Sequence, residues 1–154
     1  MSTYLRFSLL FLVIHLACYL LAGIITRPFS KDLYGGEKRL YKSIFRNMED
    51  VKENHRVAQL LLPSQLIRAL FMSAVLYPIL PCLQSLSFWQ QFGFMGGLMF
   101  VYADFCSAVP FSHTIEGWVY LKKELVHKKV FWTVQSEAIL YSLAFGLGSA
   151  LFIF

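Results

Sequence analysis

Apolar residues dominate four long stretches of the chain, and polar residues are concentrated in the segments between them. Each stretch has about the 20 mostly apolar residues that a helix needs to cross a bilayer. The four predicted spans are residues 7–26, 64–83, 88–109 and 130–154. Four spans joined by short outer connections predict one domain over residues 1–154. We therefore expect an all-α integral membrane protein, built as a four-transmembrane-helix bundle.

The composition agrees with a membrane protein, since 57% of the 154 residues are hydrophobic and only 15% are charged. A soluble domain of this length buries a core with far less apolar content. The first span is longer than the ~7–15-residue apolar core of a signal peptide, and no small-x-small cleavage site follows it. We therefore expect this span to be retained. Cys18, Cys82 and Cys106 have no CxxC spacing and predict neither a disulfide framework nor a zinc site.

The basic residues indicate how the spans are oriented. Of 14 Lys and Arg, eight lie between the first and second spans and four between the third and fourth. The short connection at residues 84–87 and the C-terminal end carry none. The positive-inside rule therefore predicts that loops 27–62 and 111–129 are cytoplasmic and that both termini lie outside. This distribution argues against nucleic acid as a partner and favours the lipid bilayer.

The first cytoplasmic loop is predicted to be partly helical. From Glu37 onward, apolar residues recur at helical spacing and basic residues occupy many of the other positions. This pattern predicts a basic amphipathic helix in the headgroup plane, or one packed under the bundle or on a partner subunit. Pro28 is expected to end the first helix, and a short helix over residues 50–62 is expected to lead into a span that begins at Pro63. Pro78 is expected to kink that span.

Small residues in two spans predict helix packing. Gly93 and Gly97 have the GxxxG spacing that lets another backbone approach closely, as in a homo-oligomer or a contact with a partner membrane subunit. Asp104 follows on the same stripe, and Glu137 shares a stripe with small residues in the last span. Gly146 lies off that stripe, so a large side chain is expected to be tolerated better there than at Gly97.

Arg68, Asp104 and Glu137 are predicted to lie at a similar depth, roughly 8–10 Å below the cytoplasmic interface at 1.5 Å per helical residue. One cation and two carboxylates in a bundle of low dielectric constant will seek partners. They could form a closed ion-paired clamp that fixes helix register. They could instead line a cytoplasm-facing pocket for a small polar or cationic ligand, which the surplus carboxylate favours. In a third interpretation, Arg68 extends to the headgroups and no cluster forms.

Two histidines offer further candidates for chemistry. His15 lies in the middle of the first span, where a neutral residue hydrogen-bonded to a neighbouring helix is the simpler interpretation, and proton transfer or haem ligation are the alternatives. Haem would need a second mid-membrane histidine, which the sequence lacks. His113 and Glu116, three residues apart, could be ligands or an acid–base pair, although helix capping is simpler. The sequence predicts no metal site and identifies no cofactor.

The function is open between two classes. The GxSxG, HExxH, P-loop and GxGxxG motifs are absent, which favours an accessory subunit or a transporter or channel component. The layout of the spans and loops resembles that of the membrane-associated eicosanoid and glutathione metabolism enzymes. Those enzymes carry an Arg-rich stretch with Asn and Glu at the second span. The corresponding stretch of this chain contains His55 and Arg56 but lacks the Asn-x-x-Glu pattern. This resemblance suggests the alternative function, which is an inner-leaflet enzyme acting on a lipophilic or thiol-conjugated substrate. Arg68 would bind an anion, and the acid or base would be one of three residues: Glu137, Asp104 or His113.

Overall fold

The computed structural model describes residues 2–37, 39–109 and 111–154. The protein is all-helical, with 78% helix and no strand within those ranges, as predicted. The α-helices are α1 (Thr3–Tyr34), α2 (Val51–Val75), α3 (Leu80–Ser85), α4 (Phe88–Gly97), α5 (Ile115–Tyr120) and α6 (Lys128–Phe152). A π-helix at Leu98–Phe105 continues α4, and short 3₁₀ helices occupy Tyr77–Ile79 and Lys123–Leu125.

Within the described residues, three helices are long and apolar enough to cross a membrane: α1 with 32 residues, and α2 and α6 with 25 each. The predicted span at residues 88–109 is not one uninterrupted α-helix. It consists of the 10-residue α4 and the eight-residue π-helix, and the helical backbone ends at Phe105. A four-helix membrane bundle therefore stays a prediction.

Two prolines lie inside helices that they were expected to end or begin. Pro28 is within α1, which continues to Tyr34, so the expected end of the first helix was wrong. Pro63 is within α2, which begins at Val51, so the separate helix over residues 50–62 was also wrong. A proline removes one backbone hydrogen bond, and the surrounding turns continue through both sites.

Pro78 acts as expected, because the long helix stops just before it. α2 ends at Val75, and a 3₁₀ helix at Tyr77–Ile79 leads into the short α3. The residue before a proline is disfavoured in the α conformation, so a break is favoured at this point. The predicted disturbance of the C-terminal part of this segment is confirmed.

The segment from Glu37 to Asp50 forms turns, so the predicted basic amphipathic helix was wrong for the residues described there. Two of its aromatic side chains pack against helical residues instead. Tyr41 is only 2% exposed, and its hydroxyl donates a hydrogen bond to the carbonyl oxygen of Leu125 at 2.7 Å. Phe45 packs against the small buried cluster that contains Tyr41. Burial of these aromatic rings holds the segment in a form that its helical periodicity did not predict.

Helix α6 packs against both α1 and α4, and a glycine pair permits the second of these contacts. A Cβ atom at Gly146 would lie 2.7 Å from the carbonyl oxygen of Phe92 and 3.0 Å from the amide nitrogen of Gly96. Cβ atoms at Gly93 and Gly97 would meet no atom of the described chain within 4 Å. The expected order of tolerance at Gly97 and Gly146 was therefore wrong. A contact of the Gly93–Gly97 stripe with another chain stays a prediction.

Candidate functional site

Three charged side chains from separate elements line one cavity, which we call the interhelical cavity. Arg68 comes from α2, Asp104 from the π-helix and Glu137 from α6. The cavity has a volume of about 110 Å³. Its remaining lining residues are Tyr19, Ala22, Met99, Val134, Ala138 and Tyr141. The structure thus brings together the three residues that the depth calculation placed at one level.

These three side chains surround the cavity without forming a closed clamp. In the part of the chain that the structure describes, Arg68 has no nitrogen within 4.0 Å of a carboxylate oxygen of Asp104 or Glu137. Arg68 is exposed, whereas the two acidic residues are half-buried. Glu137 is hydrogen-bonded to α1, because the hydroxyl of Thr26 donates to its Oε2 at 3.1 Å. The clamp interpretation therefore lacks its ion pairs.

Asp104 is paired with a histidine that sequence reasoning had assigned to a different partner. His113 Nε2 lies 3.2 Å from Asp104 Oδ1, and the two side chains are 12% and 24% exposed. The carbonyl of His113 accepts a hydrogen bond from Gln135 Nε2 at 2.8 Å, which ties this loop to α6. Asp104 Oδ2 and His113 Nδ1 are buried and have no hydrogen-bond partner among the described residues. The pair therefore retains unused hydrogen-bonding capacity.

Glu116 lies apart from this pair. It occupies the first turn of α5, where a carboxylate interacts favourably with the helix dipole, and it lines neither cavity described here. The capping residue of α5 is Thr114, whose Oγ1 accepts a hydrogen bond from the Gly117 amide at 3.1 Å. Glu116 thus lies in the first turn as expected, but the capping residue is Thr114 and not His113.

A second cavity lies beside Asp104 and is formed mainly by the loops; we call it the loop-side cavity. Its volume is about 250 Å³. It is lined by Phe45, Ala103, Asp104, Ser107, Val109, Phe111, His113 and Thr114. Asp104 lines both cavities. Nothing in the sequence pattern indicated this space, since it depends on how Phe45 and the loop after the π-helix pack together.

His15 is completely buried and hydrogen-bonded to two neighbouring helices. Its Nδ1 lies 2.6 Å from the hydroxyl of Tyr141, and its Nε2 lies 3.0 Å from Oε1 of Gln65. The amide oxygen only accepts, so Nε2 donates to it, whereas the tyrosine hydroxyl can donate to Nδ1 or accept from it. Tyr141 also lines the interhelical cavity, which places His15 directly behind the wall of that cavity.

Two tyrosines of the interhelical cavity were not singled out as site residues from the sequence. Tyr19 lies four residues after His15, and Tyr141 lies four residues after Glu137. This spacing puts each on the helix face of a residue that was singled out, and it is the signal that identifies them. Within the described ranges, no group of three or more His, Cys, Asp or Glu side chains is arranged to hold a metal ion.

No family model matches the chain, and no curated protein or solved structure is significantly similar to it. The two cavities are therefore the features of this chain from which a function can be inferred.

Proposed function

We propose that this chain is a multi-pass membrane protein, an accessory subunit or a transporter or channel component, whose interhelical cavity binds a small polar or cationic ligand. The observation that supports this proposal is the placement of Arg68, Asp104 and Glu137 around one cavity without ion pairs between them. Ionisable side chains at membrane depth commonly mark the path of a substrate or ion. The hypothesis of a transporter, channel component or accessory subunit thus gains a candidate binding site.

The charge and size of the cavity favour a small cation. Two carboxylates and one guanidinium line it, so one negative charge is left without a formal counterpart. A bound cation would supply that counterpart in a region of low dielectric constant, where an uncompensated charge is costly. The volume of about 110 Å³ is below the roughly 150 Å³ of an engineered cavity that accepts benzene. The ligand is therefore an ion or a molecule of a few non-hydrogen atoms.

The proposed orientation follows from the basic loops, with residues 27–62 and 111–129 in the cytoplasm and both termini outside. In a variant without its native cysteines, cysteines introduced at Lys42 or Lys123 are expected to resist a membrane-impermeant maleimide applied to intact cells. A cysteine at Gln84, in the predicted outer connection, is the control and is expected to react. Labelling of Lys42→Cys from outside, with no reaction at Gln84→Cys, would reverse the orientation.

Cation binding is expected to raise the melting temperature of the purified protein in detergent, since a ligand that binds only the folded state stabilises it. We would compare sodium, potassium, guanidinium and methylammonium chlorides at constant ionic strength. At least one cation is expected to stabilise the wild type by several degrees, and Glu137→Gln is expected to remove that shift. Glu124→Gln is the matched control, because Glu124 is exposed in the 3₁₀ helix Lys123–Leu125 and lines neither cavity. Equal shifts in all three proteins would reject the interhelical cavity as the site.

The melting temperature of Arg68→Met distinguishes the binding-cavity interpretation from the ion-paired clamp. An exposed, unpaired arginine contributes little to stability, so the variant is expected to melt within a few degrees of the wild type without added ligand. Removal of one partner from a buried ion pair costs roughly 3–5 kcal/mol. A loss of that size in Arg68→Met would restore the clamp interpretation.

The alternative function, an enzyme acting on a lipophilic or thiol-conjugated substrate, is favoured by the His113–Asp104 pair. A histidine that donates one N–H to a carboxylate is oriented to act as a base through its other nitrogen. Glutathione-dependent turnover of a lipophilic electrophile that disappears in His113→Gln would support this alternative. Stabilisation by a cation that requires Glu137, without any turnover, would support the binding function.

A further inference from the structure

The loop-side cavity has a lining that suits a particular class of ligand. We propose that it is a binding site for an organic ammonium group, such as the head of a small alkylamine. This site is separate from the interhelical cavity, although the two share Asp104. It therefore goes beyond the binding function proposed above and can be tested separately from it.

Aromatic rings form the apolar part of the lining. Phe45 and Phe111 both line the cavity, and their ring centroids are 5.4 Å apart with 44° between the ring planes. Each ring also packs against the buried Tyr41, at centroid distances of 5.7 and 5.4 Å. These contacts hold the two rings in place as a preformed corner. Organic ammonium groups are attracted to aromatic faces and bind in cavities with aromatic walls.

The polar part of the lining favours a ligand that carries positive charge. His113 Nε2 lies 3.2 Å from Asp104 Oδ1, and a neutral imidazole that donates there keeps an acceptor at Nδ1. Asp104 Oδ2 and His113 Nδ1 are buried without a partner among the described residues, so Asp104 acts on a ligand in the cavity through its charge. The described lining residues include this one carboxylate and no lysine or arginine, so a cation is favoured over an anion.

The volume of the loop-side cavity favours an organic cation over a bare metal ion. It is about 250 Å³, against about 110 Å³ for the interhelical cavity. An ion such as sodium would leave most of this space empty and would gain little from the aromatic walls. A short alkyl chain on the ammonium group fills the space and covers the apolar surfaces of Ala103 and Val109.

The test is a calorimetric titration of the full-length protein in detergent with propylammonium chloride, with sodium chloride as the matched salt. The wild type is expected to bind propylammonium, and Phe45→Leu is expected to weaken binding roughly tenfold, because an aromatic face is lost. Phe100→Leu is the matched control and is expected to bind like the wild type. Phe100 is also half-buried, and it stacks on Phe105 but lines neither cavity.

A second variant provides an independent test in case Phe45→Leu does not fold. Ser107 lines only the loop-side cavity, and Ser107→Trp is expected to fill it and abolish propylammonium binding. Wild-type protein that binds no propylammonium would overturn the proposal. Binding that survives both variants but is lost in Glu137→Gln would place the ligand in the interhelical cavity, so this inference would fail and the proposed function would stand. Binding that requires Phe45, while no cation of the earlier series depends on Glu137, would support this site and reject the proposed function.

Discussion

A Gly146→Leu variant is expected to melt roughly 10 °C below the wild type in detergent, the largest loss expected from a single glycine substitution in α4 or α6. Any Cβ atom at this position would lie 2.7 Å from the carbonyl oxygen of Phe92 and 3.0 Å from the amide nitrogen of Gly96. Both are backbone atoms, so no side-chain rotation relieves the overlap. The two helices would have to separate, and α6 would lose packing along its contact with α4.

Gly97→Leu is the matched control for this prediction. A Cβ atom at Gly97 would meet no atom of the described chain within 4 Å, so its melting temperature is expected to stay near that of the wild type. Thermal unfolding followed by circular dichroism at equal detergent concentration measures both variants. If Gly97→Leu were the less stable variant, α4 would pack through its GxxxG stripe and not through Gly96.

His15→Leu is expected to reduce the free energy of unfolding by roughly 2–6 kcal/mol, because it leaves a buried amide oxygen and a partly buried hydroxyl without partners. The hydroxyl of Tyr141 and the amide oxygen of Gln65 both bond to this imidazole, at 2.6 and 3.0 Å. Each unsatisfied buried group costs roughly 1–3 kcal/mol. His55→Leu is the control, since His55 is exposed and is expected to change stability little. Denaturation in mixed micelles gives the free energies.

A combined variant tests the physical reason for the His15 effect. When Gln65→Leu and Tyr141→Phe accompany His15→Leu, the unsatisfied groups are removed together with their partner. The triple variant is therefore expected to recover much of the stability lost in His15→Leu. A triple variant that is less stable than the single one would show that the loss comes from changed packing around the ring and not from unpaired polar atoms.

The positions of Arg68, Asp104 and Glu137 illustrate what can be read from the sequence alone. Hydropathy and helical period depend on local residue order, and a helix advances 1.5 Å per residue whatever it packs against. The apolar helices α1, α2 and α6, and the meeting of the three charged side chains at one cavity, follow from those two properties. The position of a side chain along its helix axis is thus predictable from its place in the sequence.

Rotation about the helix axis and the docking of loops are decided only by the tertiary structure. Gly93 and Gly97 have the better-known spacing, yet Gly96 and Gly146 make the close backbone approach, because the face that a helix presents depends on its neighbour. The pairing of His113 with Asp104 likewise depends on how the loop after the π-helix folds back. The turns after Glu37 form because buried Tyr41 is hydrogen-bonded to the loop at Leu125, a contact 84 residues away in sequence. No local pattern encodes such a contact, so the sequence alone predicted the common depth of the three charged residues but not the loop-side cavity beside Asp104.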